Sequence, residues 1–164
     1  MNLLTQASLS PDQWAVLRDA PHLVALAVSA SGGSRLDTVL ERAAGNAAIA
    51  NGINNDHPLV RAIAGTAEVE AAAAAIRALV TDARGSLRAA PELVPIATEG
   101  ARRAAEVLRA RGGELDRHAY REFVLGVARK VAEAAREGDV MGLGGRLVSD
   151  AERAAIDSIA QALA

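Results

Sequence analysis

The stretch LDRHAYREFVLGVARKVAEAARE, Leu115 to Glu137, decides how the rest of the chain is read. Tyr120, Phe123, Val124, Val127, Val131, Ala134 and Ala135 recur at the three- and four-residue spacing of one helix face. Arg117, Arg121, Arg129, Lys130, Glu133 and Arg136 occupy the remaining positions. The spacing predicts a long amphipathic helix with one buried side. Gly126 is its single glycine, and no proline interrupts it.

The same pattern extends through the chain. SLSPDQW reads as a helix start, with Ser10 as N-cap, Pro11 at the first helical position and Gln13 closing a capping box. Pro21 is expected to kink or break this helix, because proline lacks the amide donor and crowds the preceding turn. HLVALAV after it is apolar all round, as in a helix covered on several sides. A second helix is expected from about Arg35 to Ala44. The Gly- and Asn-rich stretch 45–58 is expected to be irregular, with a short helical piece at 58–64. Thr66 is expected to cap a helix reaching Gly85. Pro91 opens another that stops at Arg111-Gly112-Gly113, and a last helix spans about 150–163.

No stretch alternates in the manner of a strand. The expectation is an all-α fold: one single-domain bundle of six to seven helices over residues 1–164, without a sheet, with 1–9 as a flexible N-terminus. Alanine supplies 39 of the 164 residues and aromatics only three, so the core must be Ala, Leu, Val and Ile. Residues 22–31 and 120–135 are expected innermost.

Composition excludes several classes of function. The absence of cysteine removes disulfides, zinc ribbons and thiol chemistry. A net charge of −2 with both signs scattered disfavours nucleic acid. The apolar run Leu23–Val28 is far too short for a membrane span. MNLLTQASLSPDQW lacks the basic and apolar regions of a signal peptide, so a cytoplasmic location is expected. Of 18 basic residues 17 are arginine, which points to the coding bias of a GC-rich bacterial genome.

The glycine-rich segment EGDVMGLGGRLVSDAE, 137–152, invites comparison with a phosphate loop. It lacks the Gly-Lys-Ser/Thr of a Walker motif, and it follows a helix where a dinucleotide fold has a strand. Ser149 and Glu152 form a capping box with Asp150 between them, which places negative charge where an anion would sit. The segment reads as an inter-helix loop.

Residues 124–163, with VARKVAEAAREGD, a loop and VSDAERAAIDSIAQAL, resemble the helical hairpin of TerB-like tellurite-resistance proteins. Glu152 stands where that family has its helix-start glutamate. The family's Ala-Asp-Gly is replaced by Ala135, Arg136, Glu137, Gly138 and Asp139. The resemblance implies a helical, metal-associated module.

Two groups of residues carry chemistry worth weighing. Glu114, His118 and Glu122 recur every four residues and could ligate a metal from one helix face, or simply form a solvated ion-pair face with Arg117 and Arg121. Asn54, Asn55, Asp56 and His57 cluster before Pro58 and could bind a small ligand. The alternative is a turn with Asp56 capping the next helix. No Glu-x-x-His pair of a di-iron site and no nucleophile elbow is present. No cofactor is implied. The leading expectation is a non-catalytic protein that associates with itself or a protein partner. The second is a small-ligand or metal-binding module. The third is an enzyme using 137–149 as a lid.

Overall fold

The computed structural model describes residues 3–32, 35–137 and 148–164. Among the described residues are seven α-helices and no strand, so the fold is all-α. They are α1 (Pro11–Ser31), α2 (Arg35–Asn51), α3 (Pro58–Ile63), α4 (Thr66–Val80), α5 (Ala90–Arg111), α6 (Glu114–Glu137) and α7 (Asp150–Ala162). None is long and apolar enough to cross a membrane. The glycine-rich loop singled out above falls largely on residues 138–147, outside the described residues.

α1 is the hub. It packs most extensively on α5 and also touches α2, α4, α6 and α7. This explains a sequence that is apolar on every side: Leu17, Val24, Ala27 and Val28 are all fully buried. Each larger aliphatic side chain so buried contributes about 1.5–3 kcal/mol before entropy. α2 lies along α6, and α7 closes the bundle against α5, α1 and α6. Both capping boxes form. Ser10 Oγ accepts from Gln13 N at 3.2 Å, and Ser149 Oγ accepts from Glu152 N at 3.1 Å.

α1 is not broken at Pro21; it runs from Pro11 to Ser31. The reason lies on another helix. A residue with an amide at position 21 would donate to the carbonyl of Leu17, four residues back. Proline cannot, and the Leu17 carbonyl instead accepts from the Tyr120 hydroxyl of α6 at 2.8 Å. Tyr120 is fully buried, and burial pushes its phenol far above the usual tyrosine range, with the Asp19 carboxylate adding to the effect. The hydroxyl is thus a committed donor that makes good the bond the proline omits.

Other boundaries also move. α2 continues through the glycine- and asparagine-rich stretch to Asn51, with a short 3-10 turn at Gly52–Asn54. Gly45 is helical because the helices come very close there. An added Cβ would lie 3.0 Å from both Ala25 of α1 and Val131 of α6. The N-cap of α4 is Gly65, with Thr66 its first residue. α4 ends at Val80, and an isolated bridge between Thr81 and Leu87 frames a tight turn in which Gly85 takes φ +76°. Ahead of α1, Leu4 is buried and its amide donates to Asp116 Oδ1 at 3.0 Å. α4 is fastened to α1 by Glu68, which accepts from the Trp14 indole at 2.8 Å and lies 3.8 Å from Arg18.

Tyr120→Phe should cost about 1–3 kcal/mol, because it leaves the Leu17 carbonyl buried without a donor. The same change should cost clearly less in a Pro21→Ala background, where residue 21 can donate. Denaturant unfolding of the four members of this cycle measures the coupling.

Candidate functional site

α2 and α4 both rest on α1 and touch each other only slightly, so a crevice opens between them with α1 as its floor. Its volume is about 250 Å³. Ala25 and Leu26 of α1 and Ala73, Ile76 and Val80 of α4 make it mainly apolar. Polar groups enter from three helices: His22 from α1, Arg42 and Asn46 from α2, and Arg77 from α4. The α2 and α4 pairs each follow helical spacing, Arg42 with Asn46 and Ala73 with Arg77, so each pair shares one helix face.

The electrostatics of this crevice are one-sided. Among the described residues no Asp or Glu lines it. The guanidinium groups of Arg42 and Arg77 are exposed and take no part in the hydrogen bonds or ion pairs among the described residues. His22 is 7% exposed, and its Nε2 has no hydrogen-bond partner. Burial, assisted by the Arg18 charge, lowers its pKa to about 4, so the imidazole is neutral at physiological pH. An apolar crevice with a few convergent polar groups and a perturbed histidine has the ordinary make-up of a small-molecule site.

The residues singled out in the sequence are distributed differently. Asn54 and Asp56 are exposed. Asn55 Oδ1 accepts from His57 N at 2.8 Å and so shapes the entry to α3. The N-cap of α3 is His57, and the cap expected of Asp56 is not made by it. Two backbone carbonyls of this turn, Asn55 and Asp56, are held by Arg61 Nη1 at 2.8 Å. His57 is turned inward, with Nε2 3.4 Å from Oδ1 of the buried Asp116. Asp116 also accepts from Leu4 N at 3.0 Å and Gly113 N at 2.8 Å. These groups tie the N-terminal segment, the start of α3 and the start of α6 together.

Glu114 and His118 share a cleft of about 190 Å³ between α5, α6 and the end of the chain. Arg109, Arg117 and Arg121 line the same cleft, and three guanidiniums oppose a divalent cation. Glu122 faces a different groove and pairs with Arg129 at 3.5 Å. Among the described residues no three His, Cys, Asp or Glu side chains are grouped to hold a metal ion. Glu152 is 2% exposed; its Oε2 accepts from the Ser149 amide at 2.7 Å, as the capping box requires, and its Oε1 is buried with no hydrogen-bond partner among the described residues.

The crevice polar groups give no signal in the sequence, because Arg42, Asn46 and Arg77 come from segments that only the packing on α1 brings together. His22 reads there as part of a buried helix, which it also is.

His22 should make stability depend on acid. Its folded pKa lies below the unfolded value of 6.5, so above that value both states are neutral and nothing is lost. As pH falls from 6.5 towards 4, the unfolded chain takes up a proton that the folded one refuses. The native state loses about 3 kcal/mol over that window. His22→Gln should flatten this part of the stability profile, read from urea midpoints between pH 4 and 7.

Comparison with protein-family models, curated proteins and solved structures gives no match, so the likeness of residues 124–163 to the TerB-type hairpin rests on the sequence pattern alone.

Proposed function

We propose that this chain is a non-catalytic binding module for a small organic anion, a carboxylate on an aliphatic body, held in the crevice between α1, α2 and α4. One observation carries the reading: two guanidiniums from different helices, uncommitted among the described residues, line an apolar crevice to which no described residue contributes an acidic side chain. The sign of the lining selects an anion, and Arg offers a carboxylate two parallel hydrogen bonds. The apolar walls select the body. The volume of about 250 Å³ exceeds the roughly 150 Å³ cavity that holds benzene. It lies just below the roughly 300 Å³ at which drug-sized pockets begin. A ligand of metabolite size is therefore favoured. The unpartnered Nε2 of His22 and the Asn46 amide supply further hydrogen bonds within the same space.

A series of straight-chain monocarboxylates, with the matching alcohols and amines as controls, tests this by thermal shift and calorimetry. Carboxylates should raise the melting temperature, and the alcohols and amines should not. At a ligand concentration 100 times Kd the gain is about 2.7 kcal/mol. The double variant Arg42→Ala/Arg77→Ala should keep its fold and bind the best carboxylate at least about tenfold more weakly, or ~1.4 kcal/mol. Failure of every carboxylate to shift the wild-type protein sinks the reading, as does equal binding by the double variant.

A further inference from the structure

Gly126 stands near the middle of α6, and nothing among the described residues accounts for it. The glycines inside α2 and α5 have clear reasons. A Cβ at Gly45 would press on Ala25 and Val131, and one at Gly100 on Leu23, each at 3.0 Å. A Cβ at Gly126 would meet no described atom within 4 Å. Glycine in a helix interior is less favourable than alanine. No contact among the described residues offsets that loss, and Gly126 leaves room for a close approach from outside.

Gly126 lines a groove of about 490 Å³ between α2 and α6. The groove is built from small and apolar side chains, chiefly Ala44, Ala47 and Ala48 of α2 with Phe123 and Val127 of α6. Ala47 is exposed, and Ala44 and Ala48 are half-buried. This is the surface a second helix can reach closely, because neither wall carries a long side chain at its centre.

Two charged groups of α6 identify that helix. Glu122 lies four residues before Gly126 and Lys130 four residues after, and both line the groove. The three positions form one row along α6, with each charge about 6 Å along the axis from the glycine. A two-fold axis perpendicular to α6 and lying between the two helices, level with Gly126, carries Glu122 onto the position opposite Lys130. It carries Lys130 onto the position opposite Glu122. A parallel arrangement in the same register sets Glu122 against its own copy and Lys130 against its own copy, which like-charge repulsion disfavours. Glu122 meets Arg129 at 3.5 Å and Lys130 meets Glu133 at 2.8 Å, and all four side chains are about half exposed or more. Exposed pairs of this kind are weak and readily extended into a network.

We propose that the occupant of the α2–α6 groove is α6 of a second copy of this chain. The two α6 helices cross antiparallel at Gly126, and reciprocal Glu122–Lys130 pairs fix the register. The interface is isologous and closes on itself as a dimer. It is independent of the ligand crevice, which uses Arg42 and Asn46 on another face of α2.

Sedimentation equilibrium on the full chain tests the arrangement, with circular dichroism to confirm that each variant is helical. The wild-type protein should have twice the mass of one chain. E122K and K130E should each lose the dimer, because each places two like pairs across the axis. An equal mixture of E122K and K130E should regain it, since both cross-axis pairs are then opposite in charge. The double variant E122K/K130E should dimerise with itself for the same reason, which keeps the test open if a single variant folds poorly. Gly126→Gln should be helical and monomeric. A wild-type monomer throughout the concentration range overturns the proposal. So does a dimer that both reversals leave intact, or a mixture that stays monomeric.

Discussion

The hydroxyl of Tyr120 donates to the carbonyl of Leu17, and the two central helices depend on that bond. Pro21 deprives the Leu17 carbonyl of its own helical donor deep in the core, where an unpaired acceptor is costly. A helix could respond by kinking towards water, but Leu17 and Pro21 are both buried where the gap lies. The partner must therefore come from a neighbouring side chain with a hydroxyl at the right depth. Tyr120 is the only tyrosine in the chain, and it sits on α6 opposite the gap. The bond locates α6 along α1, and the row from Tyr120 to Val131 then lies against α1 and α2.

Where the sequence was legible, one residue's chemistry was enough to set the structure. Ser10 with Gln13 and Ser149 with Glu152 each close a box within four residues, so the starts of α1 and α7 follow without reference to anything distant. The apolar face of α6 is likewise a local pattern. Where it was not legible, the deciding partner lies far along the chain. Pro21 reads as a break until Tyr120, 99 positions on, is placed beside Leu17. Gly45 and the asparagines after it read as a loop. Ala25 and Val131 show that the glycine instead allows a helix to come close. Asp56 has the chemistry of a cap, yet Asn55 is the residue whose side chain takes the His57 amide.

The candidate site was hidden for the same reason. A crevice is a property of three helices, and its polar groups are individually ordinary. Arginine makes up nearly all the positive charge of the chain, so Arg42 and Arg77 cannot be told from the rest by type. What separates them is that no described carboxylate lies beside them in the crevice, which is a fact about tertiary packing. The spaced carboxylates and imidazole of Glu114, His118 and Glu122 stood out in the sequence, yet folding surrounds the first two with guanidiniums and turns the third towards another groove.

Trp14 gives the molecule a built-in optical reporter. It is the sole tryptophan, buried in α1, and its indole proton is bound by Glu68 of the neighbouring helix. Separation of α4 from α1 therefore strips the indole of both its dry surroundings and its acceptor at once. Emission from this single fluorophore follows the wall of the crevice without any introduced label, and set beside the helical signal of the backbone it separates the loosening of that wall from melting of the whole bundle.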